Sequence, residues 1–183
     1  MDKTVHRGMT MLVQQRMQIL LICATLVSFM PLASGHGDEA SSGLANYHVL
    51  GIALATSLLA FVLAKKSFVA KMHVFSPAIF ALALFTGVVH ILLGLSDRLL
   101  LIGGIGVVGF LLLPIIVSMD QKKAKFTQLG LSGVTVAMFI GYFVANHDLH
   151  YVLEDYLGIA TKLSEIALLV GIYRAKPIGM EEE

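Results

Sequence analysis

The sequence predicts an all-α membrane protein, a polytopic bundle of five transmembrane helices that follow an N-terminal signal peptide or a sixth helix. The 183 residues are 57% hydrophobic and only 14% charged, whereas a soluble domain carries about 25% charged residues. The apolar residues are concentrated in long runs. In hydrocarbon such runs must be helices, because each backbone polar group has to be satisfied within its own segment.

The first apolar run, residues 17–34, follows the basic residues Lys3, Arg7 and Arg16. Its core of about fifteen residues is short for a span and typical of a signal peptide. Small residues precede His36 and suit a cleavage site at that point. Residues 1–35 are therefore predicted to be a signal peptide or a first transmembrane helix.

Five further runs are predicted to span the bilayer, because each is long enough to cross a hydrocarbon core of about 30 Å. They cover residues 45–64, 72–95, 98–119, 126–146 and 157–174. Glycines at 103, 104, 106 and 109 lie in one run and predict close helix packing. The bundle is predicted to cover residues 36–176, followed by a cytoplasmic tail at 177–183.

The basic residues predict the orientation. If every run spans, eleven of the thirteen Lys and Arg residues fall on one side, and only Arg98 and Lys162 are left for the other. The positive-inside rule makes the basic side cytoplasmic. The protein is therefore predicted to be a multi-pass protein of the cell membrane, with the 146–157 segment outside.

This orientation gathers histidines on the outer side, namely His36, His48, His90, His147 and His150. If the 146–157 segment is helical, His147, His150 and Glu154 share one face at i, i+3 and i+7. Two imidazoles and a carboxylate suit a divalent transition metal. The alternative is an interfacial helix with an ordinary polar face.

His90 precedes Asp97 by seven residues, which places it about 10 Å deep in the outer half of the membrane. A polar ring at that depth is expected to face the bundle interior. The alternative is a neutral histidine that donates one hydrogen bond to the carbonyl of a neighbouring helix. We predict one outward-facing metal site that joins His90, His147 and His150, with Asp97 and Glu154 as carboxylate partners.

Three other positions carry weaker hypotheses. His48 lies at a helix mouth and is a further candidate ligand, although a capping role fits it as well. If His36 were the mature N-terminus, its amine and imidazole could chelate copper together. Lys162 and Glu165 are three residues apart and are predicted to pair within the membrane. That pair would serve either transport or structure, with Lys162 extending outward in the structural case.

The stretch "GVVHILLGLSDRLLLIGG", residues 87–104, resembles the histidine motif of the HupE/UreJ group of nickel-handling membrane proteins. His90, Gly94, Asp97 and the leucine pair 99–100 match that motif in kind. Ile91 stands where the motif has proline, and Arg98 where it has a second histidine. The resemblance covers under a tenth of the chain and implies a bundle of short helices that handles nickel.

Three functions follow as hypotheses. The first is metal handling, as a permease or a metal-delivery accessory, with nickel or copper favoured and zinc or iron also suitable. The second is a subunit of a larger membrane oxidoreductase, such as a copper-dependent monooxygenase or a respiratory complex, which adds partner subunits. The third is a b-type cytochrome with one haem b between His90 and His147 or His48. The net charge of only +1 does not indicate a nucleic-acid partner.

Overall fold

A computed structural model of the chain describes residues 44–66, 74–145 and 154–175. It contains five helices over those residues: α1 (Asn46–Lys66), α2 (Pro77–Leu93), α3 (Arg98–Ile116), α4 (Gln121–Ala145) and α5 (Tyr156–Arg174). Each helix corresponds to one of the five apolar runs, and the described residues include no strand. The all-α helical bundle is therefore confirmed. The 1–35 segment, the 177–183 tail, His36, His147 and His150 lie outside the described residues.

Four helices, α1, α3, α4 and α5, are long and apolar enough to cross a membrane. The remaining helix, α2, has 17 residues, which corresponds to about 25 Å of helix. The predicted 72–95 run is thus too long at its start. Pro77 occupies the first helical turn, where a missing N–H costs nothing, and the Ser76 side chain accepts a hydrogen bond from the Ile79 N–H at 3.3 Å. The helix begins there for this reason.

Helix α2 is the centre of the bundle, since it packs against α1, α3 and α5. On the α1 side, Val49 and Ala53 form an apolar cluster with Phe85 and Val89. On the α3 side, the backbones approach closely at Gly104, where an added Cβ would lie 2.7 Å from the Ile91 nitrogen and 2.9 Å from the Gly87 oxygen. The close packing predicted from the α3 glycines is confirmed at this position.

Helix α4 packs on α3 and α5 and leaves most of its surface outside the bundle. Leu129, Ile140 and Val144 on α4 are each more than half exposed. Side chains of this kind are stable against lipid tails, which are as apolar as leucine. Together with the four span-length helices, they identify the protein as membrane-embedded.

Successive helices run antiparallel. Gly171 on α5 lies beside Ile79 on α2, and Ser164 on α5 lies beside Thr86. Helix α4 also runs antiparallel to α5, since Tyr142 near the end of α4 contacts Asp155 at the start of α5. The end of the bundle where α2 and α4 finish and α3 and α5 begin is called the Asp155 end below.

Candidate cation site between α2 and α5

Polar side chains meet where α2 crosses α5, in an otherwise apolar bundle. Three of them are ionisable: Glu165 is 0% exposed, His90 4% and Lys162 6%. Glu165 is nine residues into α5, so it lies about 13 Å along the helix from the Asp155 end. Ionisable groups at such depth are expensive and normally face a bundle interior or a cavity. The prediction that His90 faces other helices is confirmed.

Lys162 and Glu165 form the predicted ion pair, with 2.7 Å between Nζ and Oε2. Lys162 Nζ also donates to the Met138 carbonyl of α4 at 3.2 Å. It lies 5.0 Å from the ring centre of Tyr142 and 5.7 Å from that of Phe139. The ammonium therefore points into the bundle rather than outward to the membrane surface, and whether the pair serves transport or structure stays open.

The other half of the site is the imidazole of His90. Its Nδ1 is 2.8 Å from the Thr86 carbonyl oxygen, one turn earlier in α2. A carbonyl can only accept, so Nδ1 carries the proton and donates. In the neutral ring Nε2 is then an acceptor with a free lone pair. The alternative for His90 was a hydrogen bond to the carbonyl of a neighbouring helix, whereas the observed bond runs to Thr86 of the histidine's own helix.

Nε2 of His90 faces Oε1 of Glu165 at 3.6 Å. This carboxylate oxygen is buried and has no hydrogen-bond partner among the described residues. When the imidazole is neutral and the carboxylate is ionised, two acceptor atoms therefore point at each other across a short gap in a buried place. Leaving a buried acceptor unsatisfied costs about 1–3 kcal/mol, and more for a charged group. The gap is chemically suited to a cation that both atoms can bind.

Two hydroxyls lie near this gap: Thr86 is one helical turn before His90, and Ser164 directly precedes Glu165. Ser164 donates its single proton to the Thr161 carbonyl at 2.7 Å. The oxygen of Ser164 is 2.8 Å from that of Thr86, so Thr86 must be the donor in that contact. This bond joins α2 to α5 and fixes how His90 and Glu165 face each other.

A second carboxylate lies toward the Asp155 end. Asp155 caps α5, because its Oδ1 accepts from the Gly158 N–H at 2.9 Å. Its Oδ2 accepts from the Tyr142 hydroxyl at 3.0 Å. An added Cβ at Gly158 would overlap both the Asp155 carboxylate and the Tyr142 hydroxyl. The glycine therefore allows the aspartate and the tyrosine to meet.

The remaining predicted ligands that the structure describes lie elsewhere. Asp97 is exposed and caps α3, with its Oδ1 accepting from the Leu99 N–H at 2.8 Å. Glu154 is exposed just before α5, and His48 is exposed in the first turn of α1, with its ring against Tyr47. Over the described ranges, no three His, Cys, Asp or Glu side chains are grouped closely enough to hold a metal ion.

The surroundings of His90 bear on the haem hypothesis. Its Nδ1 is bound to Thr86, which leaves Nε2 as the nitrogen available for a metal. That nitrogen faces Glu165 rather than an open space between helices. A haem iron at His90 would therefore require Glu165 to move.

Sequence reasoning identified His90, Lys162 and Glu165 but did not connect His90 with Glu165. It assigned no role to Thr86, Ser164, Tyr142 or Asp155. A signal was available for the first of these, since a threonine four residues before an intramembrane histidine shares its helix face. Tyr142 and Asp155 carried no comparable signal.

No family model, curated protein or solved structure matches this chain. The resemblance of residues 87–104 to the nickel-handling group stays a prediction.

Proposed function

We propose that the bundle binds a small cation within the membrane, between Nε2 of His90 and Oε1 of Glu165, and that a divalent transition metal is its cargo. The observation that carries this proposal is the pair of buried acceptor atoms that face each other at 3.6 Å. A protein built only for stability would place a donor opposite an acceptor, since unsatisfied buried acceptors are costly.

The chemistry of the two ligands supports this class of ion. Imidazole suits nickel, copper, zinc and iron, whereas calcium and magnesium prefer oxygen ligands alone. Nitrogen and oxygen ligands lie about 2.0–2.2 Å from zinc. Two such ligands at a tetrahedral angle are about 3.4 Å apart, from the same bond lengths. The observed separation of 3.6 Å is close to that value.

Two protein ligands suit a carried ion better than a permanently held one. Structural metal sites close all four positions with protein ligands, whereas conduction requires binding weak enough to release the ion. In the sequence, His147 and His150 lie between α4 and α5. We propose that they receive the ion before it reaches His90 and Glu165.

The direction of entry follows from the charge pattern. Lys65 and Lys66 end α1, and Lys122 and Lys123 begin α4, so these lysines lie at the end opposite Asp155. The positive-inside rule makes the lysine end cytoplasmic, and the ion would enter from the outer side of the cell membrane. Impermeant thiol labelling of Gln121→Cys and Ser96→Cys in a Cys23→Ser background tests this. Labelling of position 121 alone from outside would reverse the direction.

Metal binding tests the site itself. Purified protein in mild detergent is dialysed against Ni²⁺, Zn²⁺ or Ca²⁺, and the bound metal is measured by elemental analysis. We expect binding of Ni²⁺ or Zn²⁺ and no binding of Ca²⁺. His90→Ala and Glu165→Gln should each weaken binding at least tenfold.

The chain offers a matched control for each variant. His48→Ala removes an exposed imidazole, and Asp120→Asn removes an exposed carboxylate at the opposite end of the bundle, so both should bind as the unmodified protein does. Circular dichroism and size-exclusion chromatography establish that every variant is folded. Equal binding by His90→Ala and the unmodified protein would overturn the site. Absence of metal binding, with a proton flux into liposomes that depends on His90, would replace the metal by a proton as cargo.

A further inference from the structure

We infer that Lys162 is a tethered competitor for the cation at Glu165, and that Tyr142 and Asp155 form the place to which its ammonium withdraws when a metal binds. The inference rests on the proposed function and concerns the regulation of the same site. It starts from the fact that Lys162 and the gap share one carboxylate: Nζ holds Oε2 at 2.7 Å, while Oε1 faces His90.

A divalent ion at Oε1 would lie beside the ammonium at Oε2. Like charges repel, and the repulsion is much stronger in a low-dielectric interior than in water. The paired ammonium and carboxylate are neutral together, whereas an added metal would leave a net positive charge in the membrane. Metal binding therefore requires the ammonium to move away or to lose its charge. If it does neither, it lowers the affinity of the site for the metal.

The surroundings of Lys162 offer one direction for that movement. Its Nζ already lies 5.0 Å from the ring centre of Tyr142, and aromatic faces attract ammonium groups within about 6 Å. The hydroxyl of the same tyrosine is bonded to the Asp155 carboxylate. Asp155 and Lys162 are seven residues apart and share one face of α5. The ammonium is thus bound to one carboxylate and lies against the tyrosine that binds the second.

The side chain suits this exchange. Lysine carries a compact charge on a flexible four-carbon stem, so Nζ can move without a shift of α5. At Glu165 it neutralises a carboxylate that would otherwise be buried alone. At Asp155 it leaves both oxygens of Glu165 to the metal. The return of the ammonium to Glu165 would expel the ion, which gives Lys162 a role in release.

The test compares Ni²⁺ and Zn²⁺ binding by two variants that act in opposite directions. Lys162→Met removes the competitor and should tighten binding at least tenfold relative to the unmodified protein. Asp155→Asn removes the charge of the withdrawal place and should weaken binding severalfold. Asparagine still caps a helix as well as aspartate does and can still accept from Tyr142. Lys162→Arg keeps the positive charge and should give no gain in affinity.

Each outcome decides between the two proposals. If the unmodified protein binds metal through His90 but Lys162→Met binds no tighter, the competitor role is overturned and the proposed function stands. If only Lys162→Met binds metal, the competitor role is supported and the metal cargo of the unmodified protein is overturned. Absence of binding by both overturns both. Should Lys162→Met fail to fold, unchanged affinity in Asp155→Asn would overturn the withdrawal of the ammonium.

Discussion

The two interfaces that α2 makes with α3 and with α5 are held together differently. Toward α3 the helix packs closely, and the backbones touch at Gly87 and Gly104. Toward α5 it presents Thr86 and His90 to Ser164 and Glu165. The first interface has no room for an added methyl group, while the second holds charged groups that must neutralise one another. One helix therefore combines a close-packed face with a polar face that carries ionisable groups.

This difference teaches where each face is vulnerable. Van der Waals packing in a membrane depends on small residues that let backbones approach. Enlarging a glycine side chain at the α3 interface should therefore destabilise the protein. The α5 face should fail when one member of a charged pair is removed, because the other is left buried and uncompensated. Four experiments test this difference between the two interfaces, in decreasing size of the expected effect.

The largest effect is expected from Glu165→Leu, which leaves the Lys162 ammonium buried without its partner. Breaking a buried pair in this way costs about 3–5 kcal/mol of unfolding free energy. The double variant Lys162→Met with Glu165→Leu should recover most of that loss, since replacing both partners by apolar groups is often neutral. Thermal unfolding followed by circular dichroism in detergent measures both. Equal losses in the single and double variants would contradict a coupled pair.

On the α3 face, Gly104→Val should separate α2 from α3, because its side chain would meet the backbone of Ile91 and Gly87. Overpacking of this kind costs about 1–3 kcal/mol. Gly109→Val is the matched control, since no atom lies within 4 Å of an added Cβ at that glycine of the same helix. The same unfolding measurement applies. A loss of stability in Gly109→Val as large as in Gly104→Val would argue against close contact as the cause.

A smaller effect is expected from Thr86→Val, which removes the hydrogen bond between α2 and α5. Such bonds in membranes contribute about 0.6 kcal/mol on average. The control is Thr135→Val on α4, also 0% exposed, whose hydroxyl donates to the Leu131 carbonyl of its own helix at 2.8 Å. That carbonyl sits in a continuous helix, so the control should be nearly neutral. The reverse order would mean that the Thr86–Ser164 bond does not link the helices.

The smallest effect lies outside both interfaces, at Asp120 before α4. The Lys123 N–H donates to its Oδ1 at 2.8 Å, and this backbone hydrogen bond lowers the pKa of Asp120 below 3.8, with a smaller contribution from the charge of Lys123. A lowered folded-state pKa means that the cap stabilises the protein above the unfolded pKa. That contribution is lost as the pH falls through the folded pKa.

A carboxyl-detected NMR titration of Asp120 checks the sign and the cause. The midpoint should lie below 3.8, the ordinary value for the group. Lys123→Ala keeps the backbone N–H and should therefore preserve most of the shift. A midpoint that returns to the ordinary value in Lys123→Ala would assign the cause to the ammonium instead.

The candidate site shows how far local sequence reaches. The pairing of Lys162 with Glu165 was predictable, because residues three apart on a helix are neighbours whatever surrounds them. The inward position of His90 was predictable as well, since a polar ring deep in hydrocarbon is costly. The assignment of Asp97 as a partner of His90 used closeness along the chain, but Asp97 is exposed and caps α3. A residue that follows the end of a helix usually serves the next helix in this way.

The sequence by itself determined the five helices and the membrane environment, because apolar runs of this length have one way to satisfy their backbone in lipid. The start of α2 is also fixed locally, by Ser76 and Pro77, although the apolar pattern placed it at residue 72. The tertiary structure alone decided that His90 meets Glu165, 75 positions later in the chain, and that the Lys162 ammonium lies over Tyr142. These contacts depend on which helices pack together and on how each is rotated about its axis. Interhelical packing sets both, and no pattern within a single helix encodes them.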